Sequence, residues 1–215
     1  IEVKVWDPSP HDNSFIDEIK DFYPNIIGIS LMTAEYTRAM EMVKLLKAKV
    51  PNAVYACGGV HVSALPEESL RGLDVDVAVL GEGEITMHEL CCYGKDDWPK
   101  INGILYLEET GIHRNPAREL IEDLDIIPFT SRHLLSSPFN WYLIPPGVIR
   151  GAFSLHTTTM ITSRGCPYNC LFCASCIVFG RHFRRRSVDN VIEEIRHLQE
   201  KYHIKGIWFL DDTFT

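Results

Sequence analysis

Ile26-Ile-Gly-Ile-Ser-Leu31 is a continuous apolar run, and Ile1–Trp6, Ala53–Cys57 and Val75–Leu80 repeat its character. Runs of this length suit strands of a parallel sheet covered on both faces. Helical patterns lie between them. In the clearest, Tyr36, Ala39, Met40, Val43 and Leu46 fall at helical spacing, Lys44 and Lys47 lie opposite, and Pro51 closes the segment. Phe15–Phe22, Pro66–Leu70 and Ile85–Cys91 are shorter helical candidates. Strand–helix alternation predicts a doubly wound α/β domain of flavodoxin-like (Rossmann-like) type.

Gly103–Leu107 and Ile112–Asn115 flank Glu-Glu-Thr-Gly, which predicts a β-hairpin appended to that domain. Residues 116–156 lose periodicity and carry Pro128, Pro138, Pro145 and Pro146, as a connecting segment would. A second unit starts near Thr157. Thr158–Ser163 is a predicted strand, and Ser187 is a good N-cap for a helix whose apolar face is Val188, Val191, Ile192, Ile195 and Leu198. Ile204–Leu210 is the next strand. Such a strand–helix–strand unit cannot close a barrel alone, since (β/α) barrels need about 200 residues or more. The chain is therefore expected to be a piece of a longer enzyme.

The chain has 215 residues, 46% hydrophobic and 23% charged, so a packed core is expected. Its formal net charge of −8 argues against non-specific binding to nucleic acid or anionic lipid. No apolar stretch approaches the roughly 20 residues of a membrane span, and the amino terminus carries no secretory pattern. The seven cysteines are accordingly expected in a reducing cytoplasm, where clustered thiols point to metal or catalysis before disulfides.

Three of them stand in Cys166-Pro-Tyr-Asn-Cys170-Leu-Phe-Cys173. Gly165, Pro167 and Asn169 break regular structure, so the loop can curl and aim several sulfurs at one point. Thiolates so placed suit zinc or an iron–sulfur cluster. Zinc sites usually pair two such ligands with two from a distant segment, and no second pair follows, which favours iron and sulfur. With three cysteines a four-iron cluster keeps one iron open to a substrate or cofactor. Cys176 could instead close the cluster, as in an electron carrier.

The C-x3-C-x2-C spacing, the aromatic before its last cysteine and the preceding Thr162-Ser-Arg-Gly-Cys-Pro resemble the radical S-adenosylmethionine (radical SAM) enzymes. The resemblance implies a 4Fe-4S cluster on Cys166, Cys170 and Cys173, with the open iron chelating S-adenosylmethionine. Reductive cleavage would yield a 5′-deoxyadenosyl radical, and Phe172 would sit beside the adenine. Many members carry Gly-Gly-Glu after the second barrel strand to hold the amino group. This chain has Asp211-Asp212-Thr213 there, similar to the cobalamin-linked branch, so Asp211 and Asp212 are candidate contacts.

The front of the chain also resembles the cobalamin-binding domain of that branch. Its matching segments are Gly28-Ile-Ser-Leu-Met-Thr33, Gly58-Gly-Val-His61 and Gly81-Glu-Gly-Glu84, each at the carboxyl end of a predicted strand, where open α/β sheets bind ligands. Candidate cobalamin contacts are Ser30, Thr33, Gly58, Gly59, His61, Gly81, Glu82 and Gly83. The Asp-x-His-x-x-Gly signature is absent, so no lower axial histidine is expected from that motif. Ile1–Asp7 matches the second strand of the domain, and in a 2-1-3-4-5 order the first would lie between it and Ile26–Ser30.

The organisation expected is thus a cobalamin-binding α/β domain over 1–128, a linker over 129–156, and the first strand–helix–strand of a partial (β/α) TIM-type barrel over 157–215. The activity implied is cobalamin-dependent radical chemistry on a small-molecule substrate, either methyl transfer or an oxidative cyclisation or rearrangement. Ferredoxin or flavodoxin would donate the electron. The competing readings are an electron carrier with a fully ligated cluster and a methylthio-transferring tRNA modifier. Arg181–Arg186 is either a solvated approach to the next helix or a contact for an anionic group. Cys57, Cys91 and Cys92 are expected to be packing residues.

Overall fold

The computed structural model describes residues 1–7, 14–135 and 157–214. Most of the proline-rich connection, with Pro138, Pro145 and Pro146, lies outside the described residues. Two compact units divide the chain: one of Ile1, Pro8–Leu120 and Ile177–Phe179, the other of Glu2–Asp7, Ile121–Cys176 and Gly180–Thr215.

In the first unit, helix α1 (Phe15–Phe22) precedes strand β1 (Ile26–Ser30), and helix α2 (Tyr36–Lys49) leads to β2 (Val54–Gly58). Helices α3 (Val60–Ala64) and α4 (Pro66–Gly72) then lead to β3 (Val77–Val79). The three strands are parallel neighbours in the order β1-β2-β3. That order matches the 3-4-5 part of the expected sheet. Helix α5 (Glu84–Cys92) follows, and then the hairpin of β4 (Ile104–Glu108) and β5 (Gly111–Arg114). The hairpin extends the sheet, with β4 antiparallel to β3. The result is a mixed, parallel-rich α/β sheet.

Strand register sorts the core into two faces. Ala56, Val77, Val79, Ile104 and Tyr106 pack with Leu90 of α5, Trp98 and Ile101 on one side. The alternate residues Ile27, Ile29, Tyr55, Cys57, Ala78 and Leu105 are buried on the other. Helix α2 buries Ala39, Val43 and Leu46, and its Lys47 lies over the ring of Tyr55 on that second face. Burying each large apolar side chain is worth about 1.5–3 kcal/mol relative to exposure.

One expectation is overturned here. Ile1–Trp6 forms no strand, and Ile1–Lys4 are exposed. A strand needs a hydrogen-bonding neighbour, and β1 pairs only with β2 among the described residues. Gly28 and Ser30 of β1 lie exposed, so this strand is not covered on both faces.

In the second unit, β6 (Thr157–Met160) pairs in parallel with β9 (Gly206–Phe209), in register from Thr157↔Gly206 to Met160↔Phe209. Between them in sequence run β7 (Ser163–Arg164), α6 (Cys176–Phe179, of which Ile177–Phe179 belong to the first unit), β8 (Arg184–Arg185) and α7 (Val188–Tyr202). Ser187 caps α7 as expected, its hydroxyl accepting from the Asn190 N–H. Met160, Leu198 and Ile204 form the core, with Val191, Ile195, Ile207 and Phe209 against it. The strand–helix–strand unit read from the sequence is present.

Candidate functional sites on the two units

The carboxyl ends of β1, β2 and β3 gather most of the front-domain candidates. Ser30 pairs in register with Gly58, and the Leu31 N–H donates to the Gly58 carbonyl at 3.1 Å. Gly59 has φ of +101°, in the left-handed region, and a Cβ there would meet the Leu31 carbonyl oxygen at 2.7 Å. Only glycine lets the chain turn at this point. The turn is stitched further by the Ser63 hydroxyl, which donates to the Gly59 carbonyl and accepts from the Gly81 N–H, each at 3.0 Å.

His61 is buried, with Nδ1 3.1 Å from the Thr33 hydroxyl and its ring 4.7 Å from that of Tyr36. Its Nε2 is buried and has no hydrogen-bond partner among the described residues. Glu82 is buried, whereas Ser30 and Thr33 are exposed. Thus one histidine, one acid, three hydroxyls and several glycines lie at or next to the carboxyl ends of these strands. Tyr36, which the spacing presented only as a helix-face residue, shares this cluster. Cys57 is fully buried, and desolvation pushes its thiol up to about 12, which suits packing rather than ligation.

The cysteine loop is an excursion between β7 and β8, whose antiparallel pairing of Ser163 with Arg185 and Arg164 with Arg184 closes its base. The Cys166 N–H donates to the Gly180 carbonyl at 3.4 Å, and the Cys166 sulfur accepts from the Thr213 hydroxyl at 3.2 Å. Cys170 and Cys173 are exposed, as are Phe172 and Leu171. Ser175 lies 3.2 Å from the Cys173 sulfur, and its hydrogen bonds hold that thiol below its ordinary value. Cys176 is half-buried at the start of α6. Among the described residues no three His, Cys, Asp or Glu side chains converge to hold a metal ion. The loop's base is formed, and its thiols are not gathered.

Asp211 follows β9. Its Oδ1 accepts from the Thr162 N–H and hydroxyl, each at 2.9 Å, and from the Ser163 hydroxyl at 2.5 Å. Its Oδ2 is buried without a partner among the described residues. Asp212 is exposed and shares none of these bonds.

The Arg181–Arg186 cluster is mixed: Arg181, His182, Phe183 and Arg185 are exposed, Arg186 is half-buried and Arg184 is buried. Arg181 donates to the Tyr168 carbonyl and the Asn169 side chain inside the loop. Arg184 is buried and donates to the Ile121 carbonyl. Arg186 reaches Glu194 of α7 at 2.6 Å. Glu194 also pairs with Arg132 at 2.8 Å, and Arg132 bonds the Thr158 hydroxyl and Thr159 carbonyl of β6. Both Arg132 and Glu194 are buried. This network borders a cavity of about 270 Å³ lined also by Phe129, Met160 and Leu210. The sequence offered no sign of it, because Arg132 and Glu194 lie far apart in an aperiodic stretch and a helix.

Comparison with known proteins places both units. The family described as B12 binding domain matches residues 1–91. Over all of its length the chain is 39% identical to an uncharacterized methyltransferase, PH0819, of Pyrococcus horikoshii, and covers 46% of that protein. It is 28% identical to the cytidylyl-2-hydroxyethylphosphonate methyltransferase of Streptomyces wedmorensis, across 95% of this chain and 42% of the relative. The chain therefore spans less than half the length of these relatives. In fold it is similar to the radical S-adenosylmethionine methyltransferase TsrM of Kitasatospora setae, with a TM-score of 0.74 over 94% of this chain and 40% of that one at 16% identity. No helix of the described residues is long and apolar enough to cross a membrane. A B12-binding front domain, followed by the cysteine loop and joined to relatives of this kind, is what the sequence anticipated: the chain belongs to the cobalamin-binding-domain-containing radical S-adenosylmethionine enzymes.

Proposed function

We propose that the full-length protein is a cobalamin-dependent radical S-adenosylmethionine methyltransferase acting on a small molecule. The observation that carries this reading is the cysteine loop, closed at its base by β7 and β8, with Cys170 and Cys173 exposed at its tip. Methyl transfer is favoured over cyclisation because both relatives described above are named as methyltransferases. Residues 1–128 are taken as the cobalamin-binding domain, 129–156 as a linker and 157–215 as the start of a barrel.

Cys166, Cys170 and Cys173 would hold the 4Fe-4S cluster. The donor set fits, because three thiols lie on one loop whose base is already fixed, although the tip must close to gather them. Ser30, Thr33, Gly58, Gly59, His61, Gly81, Glu82 and Gly83 would line cobalamin. They fit a broad polar-edged ligand, since the glycines admit close approach and the buried Nε2 of His61 is unpartnered. When bound, the cluster delivers the electron that cleaves S-adenosylmethionine, and cobalamin carries the methyl group. Phe172 would cover the adenine, and Asp212, which is exposed, would meet the amino group. Ferredoxin or flavodoxin in the cytoplasm would serve as electron donor.

The full-length protein purified without oxygen is expected to carry corrinoid absorbance in the visible range, or to acquire it with added hydroxocobalamin. A protein that stays colourless in that range after incubation and desalting contradicts the assignment of the front domain.

A further inference from the structure

The turn after β9 holds the start of the cysteine loop at two points. Leu210 donates its N–H to the Met160 carbonyl at 2.9 Å, which brings the end of β9 beside the residues that follow β6. From there Asp211 Oδ1 takes three donors, the Thr162 N–H, the Thr162 hydroxyl and the Ser163 hydroxyl. A carboxylate oxygen accepting several donors forms stronger bonds than a neutral acceptor, and here they fix both residues just ahead of Gly165 and Cys166. Two residues further on, the Thr213 hydroxyl points its hydrogen at the Cys166 sulfur, 3.2 Å away.

We infer that Asp211 and Thr213 form a latch on the cysteine loop. Asp211 is a positioning residue that sets Cys166 through Thr162 and Ser163, and Thr213 is a hydrogen-bond donor to the Cys166 sulfur. The inference rests on the cluster reading above, and it moves Asp211 away from a direct contact with S-adenosylmethionine. Two physical arguments support it. The acceptor capacity of Oδ1 is already taken up by the chain, so the side chain has a role that needs no ligand. A donor to a ligating sulfur also stabilises the added negative charge of the reduced state, and hydrogen bonds to the sulfurs are among the determinants of cluster potential. The unpartnered Oδ2 is the one atom of Asp211 left for a ligand, and the test separates its use from that of Oδ1.

The experiment uses the full-length protein reconstituted anaerobically with iron and sulfide. It reads iron per chain, the potential of the cluster by redox titration followed by electron paramagnetic resonance, and affinity for S-adenosylmethionine. Thr213→Val is expected to keep its iron and to titrate at a more negative potential than wild type, with Thr213→Ser returning toward the wild-type value. Asp211→Ala is expected to lose iron severalfold. Asp211→Asn, which retains the Oδ1 acceptor, should keep most iron and most affinity for S-adenosylmethionine. An unchanged potential in Thr213→Val, or full iron in Asp211→Ala, overturns the latch. So does Asp211→Asn that keeps its cluster and loses S-adenosylmethionine, because Oδ2 would then be the ligand contact. A wild-type protein that takes up no cluster instead overturns the parent reading, and is recognised before any variant is made.

Discussion

In the full-length protein, Cys166→Ala, Cys170→Ala and Cys173→Ala are each expected to reduce cluster iron to background after anaerobic reconstitution, while Cys176→Ala retains it. The three thiols lie on one excursion whose base is tied by the β7–β8 pairing and by the Cys166 N–H bond to the Gly180 carbonyl. Cys170 and Cys173 are exposed and can swing together with little to displace. Cys176 differs in lying outside the C-x3-C-x2-C spacing, half-buried at the start of α6. Removing one of three thiolates leaves the cluster a ligand short, and folding of such a loop around its metal is linked to the ligands being present. Iron and sulfide assays on the four variants decide the matter. If Cys176→Ala also falls to background, the cluster is fully ligated and the chain is better read as part of an electron carrier.

The second large effect concerns the buried charges of the second unit. Glu194 receives Arg132 at 2.8 Å and Arg186 at 2.6 Å, with its side chain only 3% exposed. Arg132 is likewise 7% exposed, and its remaining donors go to Thr158 and Thr159 of β6. Replacing the buried pair together by apolar groups need not cost stability. Removing one partner does, because the other charge stays buried without compensation, and the loss is about 3–5 kcal/mol. Glu194→Ala takes the one carboxylate from two guanidinium groups at once, leaving Arg132 and Arg186 only neutral acceptors on Thr158, Thr159, Ile161 and Asn190. It should therefore lower the urea midpoint of the second unit strongly, with Glu194→Gln falling between it and wild type. A change within about 0.5 kcal/mol, as for an ordinary surface substitution, would show that water reaches these groups.

Much of the front sheet was legible because its strands are continuous apolar runs separated by helices of clear period. Phe15–Phe22 was read with the bounds it has, and β1, β2 and β3 each shifted by a residue or two. Ile1–Trp6 failed because local composition describes a segment's preference, whereas a strand also needs a neighbour. The hairpin was read correctly as a hairpin. Its incorporation into the sheet was not, since the pairing of Val77 with Tyr106 is a long-range event.

Site residues divided along the same line. The cysteine spacing and the strand-end glycines are local signals, and the structure has the glycines at the carboxyl ends of β1, β2 and β3 and the cysteines on the excursion between β7 and β8. Asp211 was legible as an acid at a strand end, but its bonds to Thr162 and Ser163 cross 48 to 49 positions of chain. Arg132 and Glu194 are separated by 62 positions. Neither partnership leaves a mark in any short window. The arginine run is solvated at Arg181, His182, Phe183 and Arg185, as basic runs usually are, whereas the burial of Arg184 and the pairing of Arg186 with Glu194 leave no mark in a short window.

The central claim is that the cysteine loop carries a cluster with one iron open to S-adenosylmethionine. Its most direct test is electron paramagnetic resonance of the reduced, reconstituted full-length protein before and after S-adenosylmethionine is added. A 4Fe-4S signal whose g values shift on addition is the predicted result. A signal unchanged at saturating S-adenosylmethionine would contradict it.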